Sequence, residues 1–597
     1  MDPAPRPEKR FFEKRLWLSI EKVEAALSAA YQTRRFADEE LAKLPALSSY
    51  AAAWEVVHQR TEQAPSLIVT VDLGFPATPP TVLVPDSERW FLKIPHVDKR
   101  GTFCILPWHA VIDQLNCGAA VREVVEQGIA LMIKGLSGAN QNEFVRETEG
   151  YWTQIKESPE IVAVCEMAGS SRWVKAVWIK PETRLAFGET LDELAPWVNF
   201  FPNGDNRAFE VAFVWKDSPL RPAEYPATNA DIFKIVSEAG LGEPARLAYC
   251  AWKLPFFVII AFQTGEGVAA IAASVKGFHQ PITGFRPQSI NGEVLIKLRG
   301  GFPCGRHIVE RANPDWVHWR GGTDEDRSAI SAAKVTVVGC GAVGADVAML
   351  LAKAGVGRFA LVDHDMVTMD NIGRHLLGAS TVGEGKAQAV AHALSQHFPH
   401  LKARYCTEKV ETLCRANGET LAEQDLIICM TADWVGESVL NMWARKFATK
   451  PVIFGWLEPH GLAGHALLVT ANGNGGCLAC GRNEGGEVRN PVIDWAGEPQ
   501  FRKVPACGGW FTPHGAIDSG PTKEMIAQLA LDALTGTVTE STLRTFIGDR
   551  RRIQSHDGTV REPWQRYTGD DSILSRTVGQ PWPANPQCPW CNRRPKS

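Results

Sequence analysis

Long hydrophobic runs are missing from this sequence. No stretch approaches the roughly 20 continuous apolar residues that a membrane-spanning helix needs. The first residues, Met1 to Arg6, also lack the apolar core of a signal peptide. We therefore predict a cytoplasmic protein with no membrane partner.

A strong excess of charge is missing as well. The 63 lysines and arginines nearly balance the 67 aspartates and glutamates, which leaves a formal net charge of -4. This balance gives no electrostatic argument for nucleic acid, so direct nucleic-acid binding is not expected. Hydrophobic residues at 45% and charged residues at 22% are typical of a folded globular protein.

Cysteine is too sparse for a disulfide scaffold, with 14 in 597 residues. In a reducing compartment such cysteines are metal ligands, nucleophiles or small buried hydrophobes. Two close pairs stand out, Cys477 with Cys480 and Cys588 with Cys591. Either pair alone would also suit a redox dithiol. Together they supply the four thiolates of one closed, structural Zn²⁺ site, which is the reading we favour.

The sequence predicts three domains. Its 597 residues exceed what one core usually holds, and the pattern of predicted strands and helices changes twice along the chain. Residues 1–152 mix helical patterns with short strands, including a helix at Ala119–Leu136, and predict an α+β domain. Residues 153–312 contain strand-like runs between glycine and proline turns but no chemical motif, and predict an α+β spacer or docking domain. Residues 313–597 follow the order strand, glycine-rich turn, helix, strand, which predicts a doubly wound, Rossmann-like α/β domain.

A nucleotide-binding fingerprint opens the third domain. The buried-strand run Lys334–Val338 leads into a turn with Gly339, Gly341 and Gly344, and an apolar helix follows. Glycines allow a tight turn and a close approach of the backbone to phosphate, and the helix N-terminus offers free N–H groups. The next strand ends at Asp363, which is placed to bind ribose hydroxyls. Alone, this pattern favours a nicotinamide dehydrogenase.

Further polar residues favour adenylation instead. They follow the fingerprint in the order Asp365, Asn371, Arg374, Lys386 and Asp433. Such residues at the carboxyl ends of parallel strands suit a triphosphate with Mg²⁺, because charge develops on the α-phosphate during adenylation. Hydride transfer needs none of them. ATP and Mg²⁺ are therefore the predicted cofactors, beside Zn²⁺.

These residues give the segment Val335–Cys591 a resemblance to the adenylation domain of ubiquitin-activating enzymes and of the thiamine- and molybdopterin-pathway (ThiF/MoeB-like) adenylyltransferases. The resemblance implies that Asp363 holds ribose, that Arg374 and Lys386 neutralise phosphate, and that Asp433 binds Mg²⁺. That family commonly carries two cysteine pairs in corresponding places.

The same resemblance implies a homodimer in which an arginine from a second subunit completes the site. No upstream stretch matches the motif of this arginine well, and Arg320 is a weak candidate for it.

A lone cysteine, Cys507, lies in a glycine-flanked stretch before Phe511–Gly515. In the resembled activating enzymes the catalytic cysteine precedes a comparable element, which implies that Cys507 takes the acyl group from the adenylate as a thioester. Nearby cations or dipoles would have to favour its thiolate, and Arg502 and Lys503 are close in sequence. An inert, buried cysteine is the alternative.

A second lone cysteine, Cys104, follows two predicted strands, Ser66–Leu73 and Thr81–Val84, and the element Ile94-Pro95-His96. Residues 10 to 150 resemble a ubiquitin-conjugating domain in this order. His96 falls where that family usually has an asparagine that stabilises the oxyanion during amine attack. A histidine would donate similarly or act as a base. The alternatives are a packed or surface histidine and an inert cysteine.

The complete arrangement resembles the fused activating and conjugating enzymes of bacterial anti-phage operons of the CBASS type. It implies that a protein's C-terminal carboxylate is adenylated, carried on Cys507, passed to Cys104 and joined to a target amine. The implied donor is a cGAS-like nucleotidyltransferase.

Three alternatives remain open. One is conjugation of a bacterial ubiquitin-like protein, and another is a sulfur-carrier adenylyltransferase or sulfurtransferase in which Cys507 carries persulfide. The third is a scaffold that retains only the nucleotide fold. Cys104 discriminates among them, because sulfur transfer has no need of it and a scaffold needs neither cysteine.

Overall fold

The computed structural model forms two compact units, Met1–Leu194 with Phe201–Glu310, and Ala195–Phe200 with Arg311–Ser597. The residues it describes are 7–44, 46–60, 63–107, 110–156, 159–200, 204–243, 247, 255–265, 267–276, 302–416, 418, 421, 423–471, 475–496, 501–503, 510–568 and 574–591. None of the described helices has the length and apolar character that crossing a bilayer requires.

The first unit begins with a small antiparallel sheet between helices. Its elements are α1 (Pro7–Ser28), β1 (Gln32–Arg35), α2 (Asp38–Lys43), β2 (Ala52–Val57), β3 (Leu67–Val71), β4 (Thr81–Leu83), α3 (Ser87–Trp90), α4 (Cys117–Leu136), α5 (Glu143–Arg146) and α6 (Thr148–Thr153). The strands pair in the order β1-β2-β3-β4. Helices α1 and α4 share a buried core with this sheet, around Val23, Trp54 and Val125. The predicted strands and the long helix are confirmed.

The middle of the chain forms a closed, seven-stranded barrel. Its elements are β5 (Glu160–Ala163), β6 (Arg172–Lys180), β7 (Arg184–Gly188), α7 (Leu191–Phe200), β8 (Asp205–Lys216), α8 (Asn229–Glu238), β9 (Phe257–Thr264), β10 (Gly267–Ser274) and β11 (Gly305–Arg311). The strand order is β10-β11-β5-β7-β6-β8-β9, and closure leaves no free sheet edge. The strand-like runs of the sequence are confirmed.

Alternate residues of the barrel strands enter two different cores. On β9, Phe257 and Ile259 belong to a cluster made mostly of strand residues, whereas Val258 and Ile260 pack with residues of α6 and α8. Such a strand is buried on both faces, which is why its sequence is apolar throughout.

The second unit contains a sheet with helices on both faces. In chain order its elements are α9 (Pro314–Val317), α10 (Asp324–Ala332), β12 (Lys334–Val338), α11 (Gly344–Lys353), β13 (Arg358–Val362), α12 (Lys386–His397), β14 (Lys402–Cys406), α13 (Val410–Ala416), β15 (Leu426–Cys429), α14 (Trp434–Phe447), β16 (Val452–Leu457), β17 (Ala463–Val469), β18 (Ile493–Trp495), β19 (Arg502–Lys503), β20 (Trp510–Phe511), α15 (Ala516–Leu534), β21 (Thr542–Ile547), α16 (Arg550–Ser555), β22 (Gly558–Val560), α17 (Glu562–Thr568) and β23 (Arg576–Pro581).

The main sheet has the strand order β14-β13-β12-β15-β16-β17-β21-β23. Strands β12 to β16 are parallel to their neighbours, and β17, β21 and β23 continue the sheet antiparallel. Val335 and Val337 pack with α11, α12 and α15, while Val338 packs with α13 and α14. The predicted doubly wound α/β domain is therefore confirmed. In such sheets ligands bind where the strand order reverses, which here is beside β12.

A buried ion pair joins Glu437 of α14 to Arg482. Glu437 is 3% exposed, and its Oε2 lies 3.5 Å from Nη2 of Arg482. The Arg482 guanidinium also lies over the rings of Trp434 and Trp456, at 5.3 and 5.0 Å. Burial raises the pKa of Glu437 to about 7, although the charge of Arg482 lowers it.

Replacing Glu437 with glutamine should change how stability depends on pH. The carboxyl titrates at about 4.3 in an unfolded chain. Folding raises the pKa of Glu437, so its contribution to stability is fully present below the unfolded pKa. This contribution is lost as the pH rises through the folded pKa of about 7. We expect the unfolding free energy of the wild type minus that of Glu437→Gln to fall by up to about 3 kcal/mol between about pH 5 and pH 8.

Urea unfolding followed by tryptophan fluorescence measures this difference, since Trp434 and Trp456 lie against Arg482. A difference that stays constant or rises with pH would mean that Arg482 outweighs the cost of burying the charged carboxylate.

Candidate active site

The turn after β12 depends on its three glycines for different reasons. Gly339 has φ +88°, and a Cβ there would lie 2.8 Å from the Met430 backbone. A Cβ on Gly344 would lie 1.8 Å from the carbonyl oxygen of Gly339. A Cβ on Gly341 would meet no described atom within 4 Å. The outer glycines are thus required by packing, and Gly341 leaves the space that a phosphate would use.

A cavity of about 370 Å³ lies at the carboxyl ends of these parallel strands. Six of the nine predicted nucleotide-binding residues line it, namely Gly339, Gly341, Asp363, Asp365, Lys386 and Asp433. Residues that the sequence did not single out also line it, among them Glu408, Lys409, Glu411 and Thr431. The cavity therefore has carboxylates and ammonium groups around a glycine-rich floor.

Asp363 orders the floor of this cavity. Its Oδ2 accepts a hydrogen bond from the Cys340 backbone N–H at 2.7 Å, and its Oδ1 accepts one from the Asp365 N–H at 2.9 Å. Nζ of Lys386 lies 2.9 Å from Oδ2 of Asp365. Burial acts to raise the pKa of Asp365, but the hydrogen bond and charge of Lys386 lower it below its ordinary value.

The segment that carries Asn371 and Arg374 packs beside the glycine turn. Asn371 accepts a hydrogen bond from the Thr368 N–H at 3.2 Å, and Arg374 Nη1 donates to the Asp370 carbonyl at 2.7 Å. His375 Nε2 donates to the Cys340 carbonyl at 2.8 Å. The first two contacts order the segment itself, and the His375 contact holds it against the turn. Neither Asn371 nor Arg374 is among the described residues that line the cavity.

Asp433 connects the cavity to helix α14. Its carboxylate caps the helix by accepting from the N–H groups of Val435 at 3.2 Å and Gly436 at 3.3 Å. Asp433 and Asp363 thus place carboxylate oxygens in one cavity, and Mg²⁺ prefers such ligands. The donor set therefore fits the predicted cation.

The same face of α14 leads to the cysteine cluster. Asp433, Glu437 and Asn441 follow one another at intervals of four residues, so they lie along one side of the helix. Asn441 Oδ1 accepts from the Leu478 N–H at 3.0 Å, and its Nδ2 donates to Sγ of Cys477 at 3.6 Å. One rigid helix thus contacts both candidate sites.

The four paired cysteines come together as predicted. Sγ of Cys477 lies 3.6 Å from Sγ of Cys588, and Sγ of Cys480 lies 3.5 Å from that of Cys591. All four Sγ atoms lie within 4.8 Å of one another. The sulfur–sulfur edge of a tetrahedral Zn²⁺ site is about 3.8 Å, given Zn–S bonds of about 2.3 Å. The cluster therefore fits Zn²⁺, and Asn441 supplies the outer hydrogen bond that metal ligands commonly receive.

Cys507 lies outside the described residues, and so does most of the stretch around it. The chain leaves the described structure after β19 and returns at β20, and these two strands pair with each other. His514 follows, and its Nδ1 donates to the Thr512 carbonyl at 3.1 Å. Burial lowers the pKa of His514, and the charges of Arg374 and Lys523 lower it further. The segment after Cys507 thus lies in the electrostatic field of the predicted phosphate-binding arginine.

Arg320, the candidate for a cross-subunit arginine, is exposed between α9 and α10. An exposed position leaves its guanidinium accessible, but no described contact assigns it a role.

In the first unit, Cys104 and His96 are adjacent. Cys104 is exposed, and its backbone N–H donates to the His96 carbonyl at 2.8 Å. Burial of its sulfur raises the pKa of the Cys104 thiol, and the charges of Glu147 and Asp98 raise it further. The surroundings of Cys104 therefore disfavour its thiolate, in contrast to the usual environment of an activated cysteine.

His96 is held by residues of α5 and α6, and by Glu147 between these helices, none of which the sequence identified. Its backbone, at φ +65°, donates to Oη of Tyr151 at 2.5 Å. Its Nε2 lies 3.0 Å from Oε2 of Glu143, and its Nδ1 lies 3.4 Å from Oε1 of Glu147. The imidazole is thus placed between two carboxylates.

Two family models match the chain. Residues 317–562 match the ThiF family, and residues 22–160 match prokaryotic E2 family B. The first region contains the glycine turn, the cavity and Cys507, and the second contains Cys104 and His96.

Curated relatives match parts of the same regions. The ATP-dependent ubiquitin transferase-like protein Cap2 of Pseudomonas aeruginosa (strain BWHPSA011 / Pa011) is 31% identical over 229 residues, which cover 37% of this chain and 39% of that protein. The protein of the same name from Enterobacter hormaechei subsp. hoffmannii (strain UCI 50) is 31% identical over 364 residues, which cover 57% of this chain and 54% of that protein. The molybdopterin-synthase adenylyltransferase of Escherichia coli (strain K12) is 31% identical over 138 residues, which cover 23% and 54%.

The chain thus spans only about two fifths to half of the length of these relatives. Both family matches nevertheless fall on the regions whose motifs carried the resemblance. The chain therefore joins a domain similar to prokaryotic E2 family B, at residues 22–160, to a domain similar to the ThiF family, at residues 317–562.

Proposed function

We propose that this protein uses ATP to join the C-terminal carboxylate of a donor protein to an amine of a target, in the cytoplasm. The observation that carries the proposal is the presence, in one chain, of a ThiF-family nucleotide cavity and an exposed E2-family cysteine beside a histidine. The Cap2 relatives are named ATP-dependent ubiquitin transferase-like proteins, which supports the same chemistry.

The first step is adenylation. An oxygen of the donor carboxylate attacks the α-phosphorus of ATP and forms a phosphorus–oxygen bond. The bond from this phosphorus to the pyrophosphate oxygen breaks, and pyrophosphate leaves. Asp363 binds the ribose, while Lys386 and Arg374 offset the negative charge that develops on the phosphates. Mg²⁺ would supply a further positive charge there, and Asp433 would hold it.

The second and third steps move the acyl group between sulfurs. The Cys507 thiolate displaces AMP to form a thioester, and Cys104 then displaces Cys507. An amine of the target finally displaces Cys104 and forms an amide. Cys477, Cys480, Cys588 and Cys591 would hold Zn²⁺, which would tie the C-terminal segment to the domain and would leave no open position for these steps.

The partners follow from the proposed chemistry. We infer that the donor is a cGAS-like nucleotidyltransferase in a CBASS anti-phage system, and that the enzyme works as a homodimer in which Arg320 is the weak candidate for a cross-subunit contact. Arg320 is exposed, so a second subunit could reach its guanidinium.

Two other donors are compatible with the adenylation domain. A bacterial ubiquitin-like protein would use the same two cysteines. A sulfur-carrier pathway is favoured by the similarity to molybdopterin-synthase adenylyltransferase over 138 residues. The E2-family domain with its exposed Cys104 disfavours the sulfur pathway, because that pathway needs only one thiol.

Replacing Cys507 with alanine should separate adenylation from thioester formation. We expect ATP–pyrophosphate exchange with the donor protein to stay within about twofold of wild type, because pyrophosphate leaves before any thiol reacts. Non-reducing gels should show no thioester on either cysteine. Lys386→Ala should abolish exchange, and Cys414→Ala serves as the matched cysteine control. A folded Cys507→Ala protein without exchange would contradict the assigned role.

Replacing Cys104 with alanine should trap the acyl group one step earlier. We expect a reducible adduct to accumulate on Cys507 when the variant is purified from its native host, and mass spectrometry should identify the donor. The double variant Cys104→Ala/Cys507→Ala is the control and should carry no adduct. Unchanged product formation by Cys104→Ala would remove the N-terminal domain from the pathway.

Loss of the metal site should affect stability before chemistry. We expect about one Zn²⁺ per chain by elemental mass spectrometry and none in Cys588→Ser, because three thiolates hold the ion far more weakly. The melting temperature should fall by more than about 5 °C, since a structural Zn²⁺ contributes directly to folding. A metal-free wild-type protein with an unchanged melting temperature would rule the site out.

A further inference from the structure

The proposed conjugation step needs a group that takes the proton from the amine attacking a Cys104 thioester. We propose that Glu147 accepts this proton, and that His96 and Glu143 hold Glu147 in position for it. This inference rests on the proposed function, because it concerns the last step of that pathway.

Exposure distinguishes Glu147 from His96 as the group an incoming amine can reach. The Glu147 side chain is 42% exposed, whereas the His96 side chain is 19% exposed. Nδ1 of His96 is buried and has no hydrogen-bond partner among the described residues. A substrate amine would therefore meet the Glu147 carboxylate first.

The contacts of His96 select the form of the ring that suits this role. Nε2 can donate its hydrogen to Glu143 at 3.0 Å, and in the neutral ring Nδ1 is then an acceptor that faces Glu147 at 3.4 Å. A carboxylic acid at Glu147 would donate to that nitrogen. The pair is thus prepared to stabilise Glu147 after it has taken a proton, which is the state that proton transfer produces.

Tyr151 fixes the other side of Glu147. Its phenol accepts from the His96 N–H at 2.5 Å and donates to the Glu147 carboxylate. Burial raises the pKa of Tyr151, so the phenol stays protonated and remains a donor. Glu147 is therefore held by Tyr151 and faces His96, while its charge acts on the Cys104 sulfur.

The step balances without another reactant. The amine nitrogen forms a bond to the thioester carbon, the carbon–sulfur bond breaks, and its electron pair stays on Cys104. The amine proton passes to Glu147, where Nδ1 of His96 accepts a hydrogen bond from it. Glu147 then returns the proton to the thiolate, and the raised pKa of Cys104 favours the resulting thiol.

The barrel contributes to this arrangement because it anchors the helix that Glu147 begins. The Ala270 N–H donates to Oε1 of Glu149 at 2.6 Å, and Nε1 of Trp152 donates to the His307 carbonyl at 2.7 Å. Helix α6 is thereby fixed to β10 and β11 on one side and contacts His96 on the other. The middle domain, for which the sequence offered no chemistry, supports the placement of Glu147.

The test uses the full chain with Cys507 replaced by serine and needs no native donor. Cys104 is acetylated with p-nitrophenyl acetate, and loss of the acetyl group is followed by mass spectrometry after adding glycinamide or hydroxylamine. Glycinamide must lose a proton during attack, whereas hydroxylamine attacks thioesters readily with less help from a base. Glu147→Gln keeps the shape of the side chain and removes its basicity.

We expect Glu147→Gln to slow the glycinamide reaction about 10- to 100-fold, and the hydroxylamine reaction by no more than about threefold. His96→Gln and Glu143→Gln should show smaller losses that do not add to that of Glu147→Gln, because they act through it. The matched control is Glu123→Gln, on an exposed face of α4, and should react like the wild type.

Three outcomes would overturn the proposal. They are a wild-type glycinamide rate in Glu147→Gln, an equal loss with both nucleophiles, and full additivity of the Glu147 and His96 losses. Failure of the proposed function would appear elsewhere, as the absence of any ATP-dependent thioester on Cys104 while the acetyl-transfer rates keep the expected pattern.

Discussion

The nucleotide cavity depends on close packing between the glycine turn and the end of the neighbouring strand. Gly344 approaches the Gly339 carbonyl, and Gly339 approaches Met430, so any side chain at either glycine would push α11 away from β12. Asp363 and His375 then bind the backbone of Cys340 from two sides. Because the turn is fixed in this way, its backbone is ordered before a phosphate arrives, which would lower the entropic cost of binding it.

Helix α14 extends this order from the cavity to the cysteine cluster. Asp433 caps the helix, Glu437 pairs with Arg482 one turn later, and Asn441 contacts Cys477 after another turn. A metal ion at the cluster would therefore fix the far end of the helix that presents Asp433 to the cavity. Helix α14 would thus couple the stability of the cysteine cluster to the geometry of the cavity, without the metal taking part in the chemistry.

Site residues could be predicted from the sequence where the residues of a motif belong to one strand–turn–helix unit. The order of strands places Asp363 and Lys386 in the cavity from residues that are close in the chain. The partners of His96 were not accessible in this way, because Glu143, Glu147 and Tyr151 lie 47 to 55 residues further on. Closure of the barrel likewise depends on pairing between distant strands, such as β10 with β11, which local patterns do not specify.

The carboxylates around Cys104 bear on how the proposed pathway would load and then release an acyl group at one site. Glu147 and Asp98 disfavour the thiolate, so in the proposed pathway loading of Cys104 would depend on an activated donor such as the Cys507 thioester. The same raised pKa makes the sulfur a poor leaving group until a proton reaches it. In the proposed step, a carboxylate that collects the proton of the amine and delivers it to the sulfur would remove the second obstacle, whereas the activated donor overcomes the first. The acidic surroundings that would hinder an isolated cysteine nucleophile would therefore suit the role proposed for Cys104, which is to be displaced.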